Sequence, residues 1–129
     1  MPRWFLLLTF ALCIGCYQPE RDCNSFRTGT FEFKAMVGTT LETTRFVRND
    51  SLEIDYFRGS ADTSSIRWIN SCEYIVTKLH PKGRSEEKAI HMKILTTDGD
   101  TYQFEYNIVG EDRKEKGIAT KISAKELYQ

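Results

Sequence analysis

The chain lacks an excess of either charge and lacks an apolar run long enough to span a membrane as a helix. Its 129 residues hold 18 Lys and Arg against 18 Asp and Glu, whereas a nucleic-acid surface is strongly basic. The main apolar run, Trp4–Gly15, is shorter than the roughly 20 residues that a transmembrane helix needs. We therefore expect one small domain with no nucleic-acid partner.

Motifs for catalysis and metal binding are also missing from the sequence. It contains no G-x-S-x-G, no H-E-x-x-H, no glycine-rich phosphate loop and no C-x-x-C pair. Its two histidines, His80 and His91, stand apart, and we expect both on the surface. Asp98-Gly99-Asp100 lacks the further acidic positions of a calcium loop and favours a hairpin turn. We predict no catalytic residue, no metal site and no cofactor, and a hydrolase is disfavoured.

The N-terminal segment has the features of a secretory signal peptide. Arg3 supplies a positive start, and the apolar run Trp4–Gly15 follows it. The end of this run, Ile14-Gly15-Cys16, resembles the lipobox of bacterial lipoproteins, although Cys13 stands where Leu is usual. The resemblance implies cleavage after Gly15 and a diacylglyceryl thioether on Cys16, with acyl chains such as palmitate.

The lipoprotein resemblance also implies a location and a domain layout. Tyr17, rather than Asp, follows the expected lipidated cysteine, which by similarity to lipoprotein sorting rules favours the outer membrane. The protein would lie on the periplasmic face of that membrane or on the cell surface, with the membrane as a partner through Cys16. We expect a signal peptide over 1–15, a polar tether over 16–25 and a single β-barrel domain over 26–129.

Two cysteines remain after processing and lipidation. Cys23 and Cys72 form an even pair in an oxidising compartment, so we predict a disulfide between them. Such a bridge would tie the tether to the domain. Two free thiols are the alternative.

Alternation of apolar and polar residues dominates the rest of the chain and predicts an all-β fold. The connections between the alternating runs are too short for parallel crossovers, so the strands form an antiparallel up-and-down meander. About eight strands would close into a small lipocalin-like barrel or fold into a sandwich. The runs lie at 28–37, 41–48, 52–56, 64–69, 72–79, 90–94, 102–108 and 118–122.

The alternation also assigns side chains to the two faces of the sheet. Large residues on the inward faces would fill most of the interior of an eight-stranded barrel. The acidic residues Glu32, Glu53, Asp55 and Glu105 fall on the outer faces. The predicted core comprises Phe31, Phe33, Trp68, Tyr74, Phe104 and Tyr106, with Tyr56 as a further inward candidate.

Two short motifs are similar to those of a group of short bacterial lipoproteins. The group has an F-x-T-G-x-F opening, here Phe26–Phe31, and a W-x-x-[DS]-C-E-Y hairpin, here Trp68–Tyr74. The resemblance implies no defined activity. Some members bear a type II topoisomerase label, which we reject because a chain this short has no room for a DNA gate. The Gly29-Thr30-Phe31 opening is also similar to the G-x-W strand of lipocalins.

These observations give two expectations for function. The first is a membrane-anchored, non-catalytic module that binds an envelope protein or acts as an accessory subunit. The alternative is a lipocalin-like carrier of a small apolar ligand. A largely filled interior favours the first, whereas an apolar lumen would favour the second.

Overall fold

The computed structural model describes residues 15, 16 and 18–128, and the side chain of Val37 is left out of the description. The predicted signal peptide falls almost entirely on residues 1–14, which lie outside the described residues. In the described part of the chain, no helix has the length and apolar character needed to cross a membrane.

Eight antiparallel strands form a closed barrel, which confirms the predicted all-β meander and selects a barrel over a sandwich. Each strand pairs with the next one along the chain, and the last pairs with the first. The strands are β1 (Gly29–Val37), β2 (Thr40–Arg48), β3 (Leu52–Phe57), β4 (Ser60–Trp68), β5 (Glu73–Lys78), β6 (Ile90–Asp98), β7 (Thr101–Ile108) and β8 (Glu115–Ile122). Short 3₁₀ turns occupy Asn24–Phe26, Arg84–Glu87 and Ala124–Tyr128.

Tight turns join several of the strands, as the sequence predicts. Arg58 and Gly59 link β3 to β4, and both have positive φ angles, 48° and 74°. Two successive positive φ angles define the type I′ hairpin turn, whose twist matches that of the flanking strands. The up-and-down order places alternate connections at the same end of the barrel.

One end of the barrel is closed by the segment that precedes β1. The Phe26 side chain is 2% exposed and its ring centroid lies 5.0 Å from that of Tyr102. A disulfide joins Cys23 to Cys72, with 5.2 Å between their Cα atoms. The Thr97 N–H donates to the Glu20 carbonyl at 2.8 Å. We call this the closed end, and the opposite end, which carries the Arg84–Glu87 turn, the open end.

The predicted core aromatics all belong to the inward-facing set, but they differ in burial. Phe31, Tyr74 and Phe104 are buried, whereas Phe33, Trp68 and Tyr106 are half-buried. The Trp68 and Tyr74 rings pack with centroids 4.5 Å apart across the β4–β5 pair. The buried cluster is completed by residues outside the predicted list: Cys23, Phe26, Phe46, Ile94, Tyr102 and Ala119.

The facing predicted for β3 is wrong. Glu53 pairs with Arg48 in the β2–β3 register and Asp55 pairs with Phe46, so both acids point into the barrel. Tyr56, which alternates with them, lies half-buried outside the cavity and lines a shallow outer depression. Successive side chains of a strand point to opposite faces of the sheet. A shift of one residue in the assigned pattern therefore moves every side chain of the strand to the other face.

In β8 the bulkier residue of the alternating run also lies on the outer face. Ile118 is 57% exposed, whereas Ala119 is fully buried and Gly117 lies against Phe33 and Phe104. Small residues take the inward positions here because large aromatic rings from neighbouring strands occupy the space.

Candidate ligand-binding cavity

The barrel contains a cavity of about 400 Å³ that opens to solvent at the open end, beside the Arg84–Glu87 turn. Pockets that hold small ligands have volumes of about 300–1,000 Å³. The interior is filled at the closed end, where Phe31, Ile94 and Tyr102 are buried, and the cavity occupies the open end.

The cavity has one apolar wall and one polar wall. The apolar wall comes from β1, β6 and β7 and consists chiefly of Phe33, Ile90, Met92, Phe104 and Tyr106. The polar wall comes from β3, β4 and β5 and includes Glu53, Asp55, Ser64 and Lys78, with Glu86 and Lys88 at the mouth. A ligand with an apolar body and a polar group would match both walls.

A buried arginine forms the floor of the cavity at the closed end. The Arg48 side chain is 1% exposed, and its Nε donates to Glu53 Oε2 at 2.9 Å. Its Nη1 donates to the Phe26 carbonyl at 2.8 Å. Its Nη2 donates to the hydroxyls of Tyr74 at 2.8 Å and Tyr102 at 3.0 Å. The guanidinium thus joins the closing segment to β3, β5 and β7.

Aromatic rings surround the same guanidinium group. Its central carbon lies 5.0 Å from the Phe31 ring centroid, 5.3 Å from that of Phe46 and 4.8 Å from that of Tyr74. Cations at these distances from ring faces are attracted by the ring quadrupole. Burial alone would lower the pKa of Arg48, but Tyr74, Tyr102 and Glu53 raise it above its ordinary value. Arg48 therefore remains charged.

Asp55 has the most perturbed carboxyl group in the polar wall. Burial, followed by the charge of Glu53 and a hydrogen bond with it, raises the pKa of Asp55 to about 8. Asp62, directly opposite in the β3–β4 register, raises it further, while Arg48 acts in the opposite direction. At neutral pH the Asp55 carboxyl is mostly protonated and donates to the Glu53 carboxylate.

Lys78 holds the Arg84–Glu87 turn at the rim of the cavity. Its Nζ lies 2.7 Å from Asp62 Oδ2 and 2.7 Å from Glu86 Oε1. The other Glu86 oxygen accepts from the Lys82 N–H at 2.7 Å. These contacts hold the Arg84–Glu87 turn against β5, at the rim of the cavity.

Gly117 sets the shape of the apolar wall. A Cβ atom at this position would lie 2.5 Å from Phe104 Cζ and 2.8 Å from Phe33 Cε2. The two rings pack edge to face with centroids 5.5 Å apart. Only glycine leaves room for both rings to approach β8 this closely.

The cysteine predicted to be lipidated and the two histidines lie away from the cavity. Cys16 is exposed and takes no part in a disulfide. His91 lies on the outer face, with Nε2 3.1 Å from Glu73 Oε1, and His80 is exposed in the β5–β6 connection. Over residues 18–128, no group of three or more His, Cys, Asp or Glu side chains is arranged to hold a metal ion.

Sequence reasoning missed the polar side of the cavity. Arg48 ends a Thr-rich strand with no clear apolar face, and Glu53 and Asp55 alternate with Leu52 and Ile54. The available signal was the short Arg48–Glu53 separation across a turn, which allows an ion pair between adjacent strands.

Comparisons with protein-family models, with curated proteins and with solved structures give no match for this chain.

Proposed function

We propose that the protein is a lipid-anchored envelope module whose barrel binds one small ligand with an apolar body and a polar group. The cavity of about 400 Å³, with its apolar and polar walls, carries this proposal. It shifts the preference from the protein-binding expectation to the carrier alternative, because that preference depended on a filled interior. The ligand would enter at the open end and rest above Arg48.

A direct test uses the chain from residue 16 onward with Cys16→Ser, since the barrel closes within residues 18–128. The neutral probe N-phenyl-1-naphthylamine, which fluoresces in apolar surroundings, is titrated into this protein. We expect saturable binding of one probe per chain. Ile90→Trp, which adds volume inside the cavity, should weaken binding about tenfold, the equivalent of about 1.4 kcal/mol.

The matched control is Leu41→Trp, because Leu41 is 59% exposed on the outside of the barrel. This variant should bind the probe as the parent does. Equal binding by the Ile90→Trp variant and the parent would place the probe outside the cavity and contradict the proposal.

The membrane anchor is the second part of the proposal. It is supported by the Gly15-Cys16 boundary, by the exposure of Cys16 and by the disulfide that occupies Cys23 and Cys72. One acyl chain binds a membrane only marginally, whereas several chains on one cysteine anchor it stably. Cys16→Ala in the full chain should abolish labelling with a radioactive fatty acid, and retained label would refute the anchor.

A protein-binding role is the second candidate function, and the seam between β1 and β8 favours it. The register of this pair runs from Thr30–Phe33 to Ala119–Ile122, while β1 continues to Val37 and β8 begins at Glu115. The exposed side chains of Met36 and Ile118 flank this part of the seam. An extended segment of a partner could add here as a strand.

A photo-crosslinking residue at Met36 tests this second candidate in cells, with Ile69 as the control site. Both positions are exposed and apolar, but Ile69 lies at the closed end, beyond β4. One defined adduct at Met36 and none at Ile69 would support strand addition. The same adducts at both sites, or none at either, would exclude it.

A further inference from the structure

We infer that the cavity selects ligands that carry a protonated amine, and that the amine binds at Asp55 and Glu53 on the polar wall. This inference rests on the proposed function, because it assigns the polar group of the same ligand. It also requires that the carboxyl groups of the polar wall outnumber its cations and that those cations already have partners.

The cations of the polar wall are already engaged. Arg48 uses four N–H groups in hydrogen bonds to protein atoms. Lys78 bridges Asp62 and Glu86 with two contacts of 2.7 Å. The Nζ of Lys88, which lines the mouth, lies 3.2 Å from Glu111 Oε1. Each of these three cations therefore already has a carboxyl partner. An anionic group in the cavity would instead meet the neighbouring carboxyl groups.

The carboxyl groups outnumber these cations. Arg48, Lys78 and Lys88 face five acids, namely Glu53, Asp55, Asp62, Glu86 and Glu111. Within the part of the chain that the structure describes, Asp55 makes no ion pair, and its hydrogen-bond partner is a second carboxyl group, that of Glu53. Arg48 pairs with Glu53, and the second negative charge of the two carboxyl groups is held off by a proton. A ligand ammonium group could take the place of that proton.

Aromatic rings near Asp55 add to the attraction for a cation. Phe46 is the direct partner of Asp55 in the β2–β3 register, and both line the cavity. Phe33 and Phe104 lie on the apolar wall. An ammonium group beside Asp55 would lie next to the Phe46 ring, and ring faces attract cations. The hydrocarbon part of the ligand would pack against the apolar wall.

Amine binding would be coupled to the release of a proton. The ligand enters as an ammonium ion, Asp55 loses its proton to solvent, and the ammonium group takes the place of that proton between the carboxylates. The groups that act on Asp55 are Arg48 on β2, Glu53 on β3, Asp62 on β4 and Tyr74 on β5. Tyr102 on β7 contacts Arg48, and Lys78 on β5 contacts Asp62. Because Asp55 has a pKa of about 8, affinity for the amine should rise from pH 6 to pH 8.

Three ligands with the same chain test this inference on the Cys16→Ser protein: octylamine, octanol and octanoate, each in competition with N-phenyl-1-naphthylamine. We expect octylamine to bind about tenfold more tightly than octanol at pH 7.5, and octanoate to bind most weakly. Asp55→Asn should reduce the affinity for octylamine to that for octanol, with octanol binding unchanged as evidence of an intact cavity. Glu105→Gln, on the outer face, should leave all three affinities unchanged.

Calorimetry in two buffers of different ionisation enthalpy should detect the release of up to one proton per octylamine at pH 7. This measurement uses the parent barrel, so it decides the question even if Asp55→Asn fails to fold. Binding of the probe and octanol without a preference for octylamine would overturn the amine inference alone. Binding of none of these compounds would overturn the proposed function itself.

Discussion

Arg48 provides the sharpest test of how the closed end of the barrel is stabilised. Replacing Arg48 with Met keeps a long side chain but removes its charge and its four hydrogen bonds. Glu53, with a side chain 12% exposed, would lose its ion-pair partner. Removing one member of a buried ion pair typically costs about 3–5 kcal/mol, because the other charge is left uncompensated.

The loss is large relative to the total stability of a small domain, about 5–15 kcal/mol. We expect Arg48→Met to lower the free energy of unfolding by about 3–5 kcal/mol and the melting temperature by about 20 °C. Urea denaturation followed by far-UV circular dichroism and by Trp68 fluorescence measures the change. Arg113→Met, which removes an ion pair from an 86% exposed arginine, should leave the transition nearly unchanged.

A double-mutant cycle separates the ion pair from the rest of the Arg48 contacts. Adding Glu53→Leu to Arg48→Met removes the unpaired charge, so the double variant should be more stable than Arg48→Met alone. A loss below about 1 kcal/mol in Arg48→Met would refute the view that this network holds the closed end together. So would a double variant less stable than Arg48→Met.

The remaining predictions concern the core, the apolar wall, the disulfide and the polar wall. Trp68→Ala should lower stability by about 3 kcal/mol, near the lower end for Trp truncation because the ring is half-buried, while Trp68→Phe should retain most of it; equal stability of the Ala variant would contradict a structural role. Gly117→Ala should displace the wall rings, cost about 1–3 kcal/mol and weaken probe binding, and unchanged binding would argue against the rings' place in the cavity. Replacing Cys23 and Cys72 with Ser should cost about 2–4 kcal/mol in chemical denaturation, whereas an unchanged midpoint would mean that the bridge adds nothing. Because the pKa of Asp55 is raised in the folded state, stability should fall as pH rises from about 4 to about 8, by at most about 1.4 kcal/mol per pH unit, and Asp55→Asn should flatten that profile; an unaltered profile would contradict the assignment.

The fold could be predicted from the sequence because each strand shows its own alternation of apolar and polar residues over a short stretch of chain. Alternation of Phe31 with Phe33 and of Phe104 with Tyr106 is visible within single strands, and turns such as Asp98-Gly99 separate them. An antiparallel meander then follows from the short connections. Closure of the barrel adds contacts between β1 and β8, which are far apart in sequence and would each otherwise keep one unpaired edge.

The candidate site could not be predicted in the same way, because it depends on register. Leu52 and Ile54 look like the inward face of β3, but the pairing of Glu53 with Arg48 reverses that strand. The volume of the cavity depends on how the Phe104 ring lies against Gly117, which no local pattern encodes. The strands and most of the aromatic core could therefore be predicted from local sequence. The inward position of the acids depends on how the strands pair in the folded barrel.

The hydrogen bond between Glu20 and Thr97 has a consequence for how the protein would stand on a membrane. Glu20 is the fourth residue after Cys16, a reach of at most about 14 Å when fully extended. With acyl chains on Cys16, the closed end would face the bilayer at short range. The mouth, at the other end of strands such as β6, would open away from the lipid surface. A ligand would then arrive from the aqueous side, so the module would capture dissolved amphiphiles rather than extract lipids from the membrane that holds it.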